Sequence, residues 1–92
     1  MRLPVTEYLQ WVRATFPDET TDDQIKHLKE EFSELMISDF RDAGEFADVL
    51  MLLFCVAEGR GFDLAAAFEG KFAINKMRKW EKTERGYRHA KP

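Results

Sequence analysis

Apolar residues recur along the chain at helical spacing, and the polar positions between them mark where helices begin and end. Val5, Tyr8, Leu9, Val12 and Phe16 form one stripe behind Pro4. Pro4 suits the first helical position because it has no N–H to leave unpaired. Pro17 ends the segment. A second stripe joins Ile25, Leu28, Phe32, Leu35 and Met36. It starts at Thr21, where Thr21-Asp22-Asp23-Gln24 reads as a capping box, hydroxyl to backbone with the glutamine returning the bond. Acids crowd this first turn, as the helix dipole favours. A third helix is expected from Asp42 to Glu58, apolar almost all round after Asp48, the pattern of a helix buried on most sides. Gly59 and Gly61 supply its stop. Asp63 caps a fourth helix bearing Leu64, Ala67, Phe68, Phe72, Ile74 and Met77, with Gly70 marking a close packing contact or a break. After Trp80 the pattern fades into a polar, basic tail from position 81, and no strand pattern competes. The expected fold is all-α: one domain over 1–92, a bundle of four helices.

Composition turns that bundle into an incomplete one. The 92 residues are 45% hydrophobic and 34% charged, which argues against disorder and for amphipathic helices around a small core. A core this small is marginal alone, so a homo-oligomer, dimer or tetramer, is expected to complete it. The single Cys55 forms no internal disulfide and fits a reducing, cytoplasmic setting. The N-terminus lacks a signal-peptide pattern. The longest apolar run, Phe46 to Ala57, contains Asp48 and falls short of the ~20 residues needed to span a bilayer, so no membrane role is expected.

The net charge of −3 argues against nucleic-acid binding, but its distribution is more informative. Acids dominate from Asp18 to Asp48, and bases from Lys71 to Lys91. Within the acidic part, Glu31 and Glu34 are three apart on the second helix, and Glu45 and Asp48 repeat that spacing on the third. Each pair therefore shares a helix face. Four carboxylates converging from two helices make an oxygen-lined site of the kind Mg²⁺ takes, with phosphate oxygens and water completing the shell. The alternative for Asp48, at the edge of the apolar run, is a salt bridge to a neighbouring helix. For the cations of the last helix the alternative is plain surface charge.

Glu30-Glu31-Phe32-Ser33-Glu34 followed by Glu45-Phe46-Ala47-Asp48 resembles the E-x-x-E and E-x-x-D signature of the MazG-like all-α nucleotide pyrophosphohydrolases. Lys71, Asn75 and Arg78 match the K-x-x-x-N-x-x-R segment of that family, with Trp80 just beyond, as in its small phage and prophage members. The resemblance covers residues 21 to 90. It implies that Glu31, Glu34, Glu45 and Asp48 hold Mg²⁺, with Mn²⁺ as a substitute. It also implies that a nucleoside triphosphate is cleaved between its α- and β-phosphates to the monophosphate and pyrophosphate. Glu31 or Glu34 is the expected general base, and Lys71, Asn75, Arg78 and Trp80 the expected substrate contacts. One departure is the short spacing of ten residues between Glu34 and Glu45, which leaves a tight turn near Ser38–Ala43. Two rival readings are a non-catalytic nucleotide-binding relative and a helical interaction module with a basic tail. His27 reads as a surface residue and Trp11 as core or interface.

Overall fold

Two antiparallel helices form the spine of the structure, and every other element attaches to that spine or to its end. The computed structural model describes residues 2–90. In chain order the elements are α1 (Val5–Thr15), α2 (Thr21–Ile37), α3 (Ala43–Gly59), α4 (Leu64–Met77), β1 (Trp80–Thr83) and β2 (Gly86–His89). Helix α2 packs along α3, whereas α1 and α4 each pack on α3 and neither packs on α2. The four helices match the expected ones, and their ends show why.

At the start of α2 the capping box lies one residue earlier than expected. Thr20 Oγ1 accepts from the Asp23 N–H and Asp23 Oδ2 accepts from the Thr20 N–H, both at 3.1 Å. Extended backbone at Thr20 (φ −92°, ψ 164°) aims its hydroxyl at the open N–H groups, so Thr20 and Asp23 take the roles read for Thr21 and Gln24. Pro4, likewise, stands just before α1 as its cap rather than as its first residue. Helix α2 ends where the Phe40 N–H bonds Leu35 O (3.0 Å) and the Asp39 N–H bonds Met36 O (2.9 Å). Asp39 and Phe40 both take left-handed backbone (φ 57°), which reverses the chain within a few residues. Asp42 Oδ1 then accepts from the N–H groups of Gly44 and Glu45 and launches α3 at once. Helix α3 stops as expected at Gly61 (φ 88°), and Asp63 caps α4 through the Ala66 N–H.

The fading basic tail is corrected by the structure, which has a two-stranded antiparallel hairpin there. Trp80 pairs with His89 and Thr83 with Gly86. The Thr83 hydroxyl donates to Gly86 O (2.6 Å) and accepts from the Arg85 N–H (3.1 Å), while Gly86 supplies the positive φ of 90°. The last basic residue of the expected tail, Lys91, lies outside the described residues. At Gly70 the expected break is absent, since α4 runs through it, and within one chain no neighbour approaches where its side chain would be.

Burial is thin. Val12, Leu35, Leu52, Cys55 and Ala57 make up the buried apolar core of the described residues. The expectation that α3 is buried on most sides fails within one chain: α1, α2 and α4 leave Phe46, Leu50, Met51 and Leu53 exposed. Helix α4 has no buried residue, with Phe68 71% and Met77 88% exposed. The radius of gyration is 16.1 Å, against about 12 Å for a compact chain of this length.

The tightest point of the α2–α3 spine is at Gly59. A Cβ there would stand 2.2 Å from Thr21 Oγ1 and 2.9 Å from its Cγ2. Gly59→Ala is therefore expected to force the helices apart and to destabilise the protein by about 1–3 kcal/mol, read as a lower urea midpoint. An unchanged midpoint would mean that this approach is not a packing constraint.

Candidate active site

The antiparallel spine sets the middle of α2 against the first turns of α3, and three acids meet there. Glu31, Glu45 and Asp48 each offer an oxygen within 4.8 Å of the others. Glu34 stands outside this trio and is exposed, though its charge still acts on Glu45. Among the described residues no lysine or arginine pairs with any of the four, so the salt bridge weighed for Asp48 is not made. The one side chain among the described residues that can pair with them is His27, whose Nε2 lies 3.1 Å from Glu31 Oε1.

With every carboxyl ionised, Glu45 Oε2 is a buried oxygen that no protein donor satisfies. A proton on Glu45, bonded towards Glu31, would relieve this. That shared bond is the largest reason the Glu45 carboxyl is pushed up to about 7; burial and the charges of Glu34, Glu31 and Asp42 add to it. A divalent cation satisfies the same oxygens without the proton. The donor set, hard carboxylate oxygens with one left orphaned, fits Mg²⁺ or Mn²⁺.

A cleft of ≈ 910 Å³ leads away from the trio. It exists because α1 and α2 both lean on α3 without packing on each other. Glu31 and Asp48 line one end, and Asp18, Glu19, Asp23 and Gln24 the other. Tyr8, Trp11 and Phe16 form an aromatic wall along α1 and its end. The Tyr8 hydroxyl lies 3.4 Å from Cys55 Sγ, and burial pushes both groups above their ordinary pKa, keeping them neutral. The ion pair of Arg13 with Glu58 also ties α1 to α3.

Sequence reasoning missed this wall, and the signal for it was Trp11, a large aromatic lying off the apolar stripe of its own helix. The expected substrate contacts are elsewhere. Lys71, Asn75, Arg78 and Trp80 belong to α4 and the hairpin, and none of them lines the cleft. The Trp80 indole N–H donates to Asn75 O at 2.8 Å, and its ring meets His89 edge-on. Asn75 Oδ1 is buried without a partner. Within one chain the structure thus brings together three of the four predicted metal ligands and leaves the predicted phosphate contacts apart.

Comparison with known proteins agrees with this architecture. The model of the dATP/dGTP pyrophosphohydrolase family matches residues 5–91. A dATP/dGTP diphosphohydrolase of Salmonella phage PMBT28 is 46% identical over 76 residues, 83% of this chain. The matched region is only 26% of that longer relative. A dATP/dGTP diphosphohydrolase of Cyanophage S-2L is 37% identical over 81 residues, covering 87% of this chain and 77% of the relative. A solved structure of a Cyanophage S-2L MazG-like pyrophosphohydrolase, bound to dGDP and three catalytic Mn²⁺ ions per active site, superposes with a TM-score of 0.74. It shares 36% identity with this chain and covers 98% of it and 100% of its own length. The resemblance to MazG-like enzymes and the helical fold class are borne out. With its family model spanning nearly the whole sequence, the chain belongs to the dATP/dGTP pyrophosphohydrolase family.

Proposed function

We propose that this chain is a divalent-metal-dependent pyrophosphohydrolase that cleaves purine deoxynucleoside triphosphates, dATP and dGTP, to the monophosphate and pyrophosphate. The observation that carries the reading is the trio of Glu31, Glu45 and Asp48, with a buried, unsatisfied Glu45 oxygen, at the end of a nucleotide-sized cleft. Glu31, Glu45 and Asp48 would hold the ions, with Glu34 at the edge of the site. Bound there, divalent ions supply charge neutralisation of the triphosphate and polarisation of the α-phosphorus.

The protein's own part is to orient and to move a proton. A water attacks the α-phosphorus, the bond to the bridging oxygen breaks, pyrophosphate leaves and the water's proton passes to a carboxylate. Glu34 suits that task better than Glu31. Glu31 is already engaged by His27 and belongs to the trio that would hold the ions, whereas Glu34 is exposed beside the trio with no protein partner among the described residues.

Lys71, Asn75, Arg78 and Trp80 are proposed to act from a second copy of the chain. Helix α4 is too bare to be stable alone, and the chain exposes 7808 Å². A folded 10.8 kDa monomer is expected to expose about 5,500 Å². The excess is the size of an obligate homodimer or tetramer interface. A buried thiol without a disulfide partner supports a reducing cytoplasmic location. Among the described residues no helix is long and apolar enough to cross a membrane.

Two variants test these assignments. Glu45→Gln is expected to lower Mn²⁺ affinity, read by electron paramagnetic resonance, and pyrophosphate release from dGTP and dATP by at least about 100-fold. Glu34→Gln should instead lower kcat by about 10²–10⁴ with Mn²⁺ affinity nearly unchanged. An equal loss of metal affinity would make Glu34 a ligand and not the base. Metal ions retained at full strength by Glu45→Gln would sink the site itself.

The proton on Glu45 gives a pH signature. The Glu45 carboxyl is raised in the folded state from its ordinary 4.5 to about 7, so between these values the folded protein holds a proton that the unfolded chain has released. Stability of the metal-free protein must then fall as pH rises through that window, and Mn²⁺ should flatten the fall. Asp23, held low by the Thr20 cap, works in the opposite sense and only in more acid solution. Melting temperature in EDTA, from pH 4.5 to 8, checks this, and a flat or rising curve would refute the proton on Glu45.

Sedimentation should find a dimer or tetramer at micromolar concentration, and Phe68→Asp should reduce it to a less stable, smaller species. A stable folded monomer of the unaltered chain would overturn the assembly.

A further inference from the structure

The cleft has two chemically distinct ends, and the distance between them is set by α2. Glu31, His27 and Asp23 lie at i, i−4 and i−8 on one helical face and all line the cleft. Eight residues of helix span about 12 Å. That is about the reach of a nucleoside from its 5′-phosphate to the far edge of a purine. With phosphates at the acidic trio, the base therefore lies between Trp11 and the end of the cleft formed by Phe16–Glu19 and Asp23.

Trp11 is held in a defined attitude. Its ring stacks on Tyr8 at 6.3 Å with an interplanar angle of 27°, and Phe16 meets it edge-on at 5.6 Å. It remains 55% exposed, so ring surface is left for a ligand. At the end away from the trio, Glu19 lines the cleft and has no ion-pair partner among the described residues. Its neighbour Asp23 is already committed through Oδ2 to the Thr20 N–H. A free carboxylate accepts and does not donate, so it selects a base edge rich in N–H groups. Guanine offers two kinds of donor on one edge, N1–H and the 2-amino group, a match for both oxygens of one carboxylate. Adenine offers only its 6-amino group.

We propose that Trp11 carries the purine ring and that Glu19 reads the amino edge of the base, making guanine the preferred base of this site. This deepens the function proposed above and rests on it for the placement of the phosphates. Trp11 acts by stacking and Glu19 by a charge-assisted pair of hydrogen bonds. The 2-amino group of guanine is thus the atom that distinguishes the best substrate.

The test compares dGTP with dITP, which lacks only the 2-amino group, by kcat/KM for the unaltered protein, Glu19→Gln, Trp11→Ala and Trp11→Phe. The unaltered protein should favour dGTP over dITP by about tenfold. Glu19→Gln should abolish that preference while retaining Mn²⁺ affinity and melting temperature. Trp11→Ala should weaken both substrates by about tenfold or more, and Trp11→Phe should recover most of the loss. Glu19→Gln losing equally on dGTP and dITP, or Trp11→Ala leaving both unchanged, would overturn the assignment. Deoxyguanosine and deoxyinosine titrated in EDTA and followed by nuclear magnetic resonance separate this inference from the hydrolysis. Glu19- and Trp11-dependent shifts favouring deoxyguanosine would uphold the base site even if no triphosphate is cleaved. Absence of such shifts would overturn it even in an active enzyme.

Discussion

Mutual repulsion among carboxylates is the constraint around which this molecule is built. Glu31, Glu45 and Asp48 converge within 4.8 Å, with Glu34 close by, and no arginine or lysine among the described residues offsets them. Such a cluster persists only if packing elsewhere holds the helices in place. The α2–α3 contact does so. At one end, Gly59 lets Thr21 approach closely enough to lock the spine. At the other, left-handed Asp39 and Phe40 reverse the chain and Asp42 caps the new helix, placing Glu45 in its first turn. The positively polarised helix start beside Glu45 also favours negative charge there. The site is therefore strained electrostatically and supported mechanically from both ends.

The same arrangement explains why the rest of the chain is so bare. A spine of two helices offers α3 as the only platform, and α1 and α4 both use it. Because α1 does not close against α2, a cleft stays open from the acids to the Phe16–Glu19 turn. Because α4 meets α3 at one end only, its apolar residues stay exposed, along with the cations that could neutralise phosphate. A small chain with a cleft open between its helices has little core left, and the proposed assembly would be the physical remedy.

Helix positions and the acid pairs were legible in the sequence because each rests on local periodicity. Spacing at i, i+3 pairs Glu31 with Glu34 and Glu45 with Asp48 on single helix faces, but Glu34 stands outside the trio that the two helices bring together. What stayed hidden depends on contacts between distant segments or on one-residue choices. Thr20 and Thr21 are equally good caps by composition, and only the backbone angle at Thr20 decides between them. The hairpin was masked by its charge: Glu81, Lys82, Arg85 and Arg88 hide a turn signalled by Thr83 and Gly86. The aromatic wall was hidden because a tryptophan off the stripe reads as an oligomer contact until the gap between α1 and α2 is seen.

The two ends of the cleft also differ in how they can evolve. At the acidic end each carboxylate depends on the others, since the bond to Glu31, burial and the like charges of Glu34, Glu31 and Asp42 together push the Glu45 carboxyl up. Altering one member changes the protonation and ion binding of all, so that end is cooperative and resists change. At the far end Glu19 sits on a turn between helices with no ion-pair partner among the described residues, and its replacement should leave the spine and the acids untouched. On the proposed placement of the base, a single substitution there would alter which donors the base must present without touching the acids. This separation of a reacting end from a reading end would, on the proposed placement of the nucleotide, let one scaffold keep its hydrolytic chemistry while its choice of base shifts.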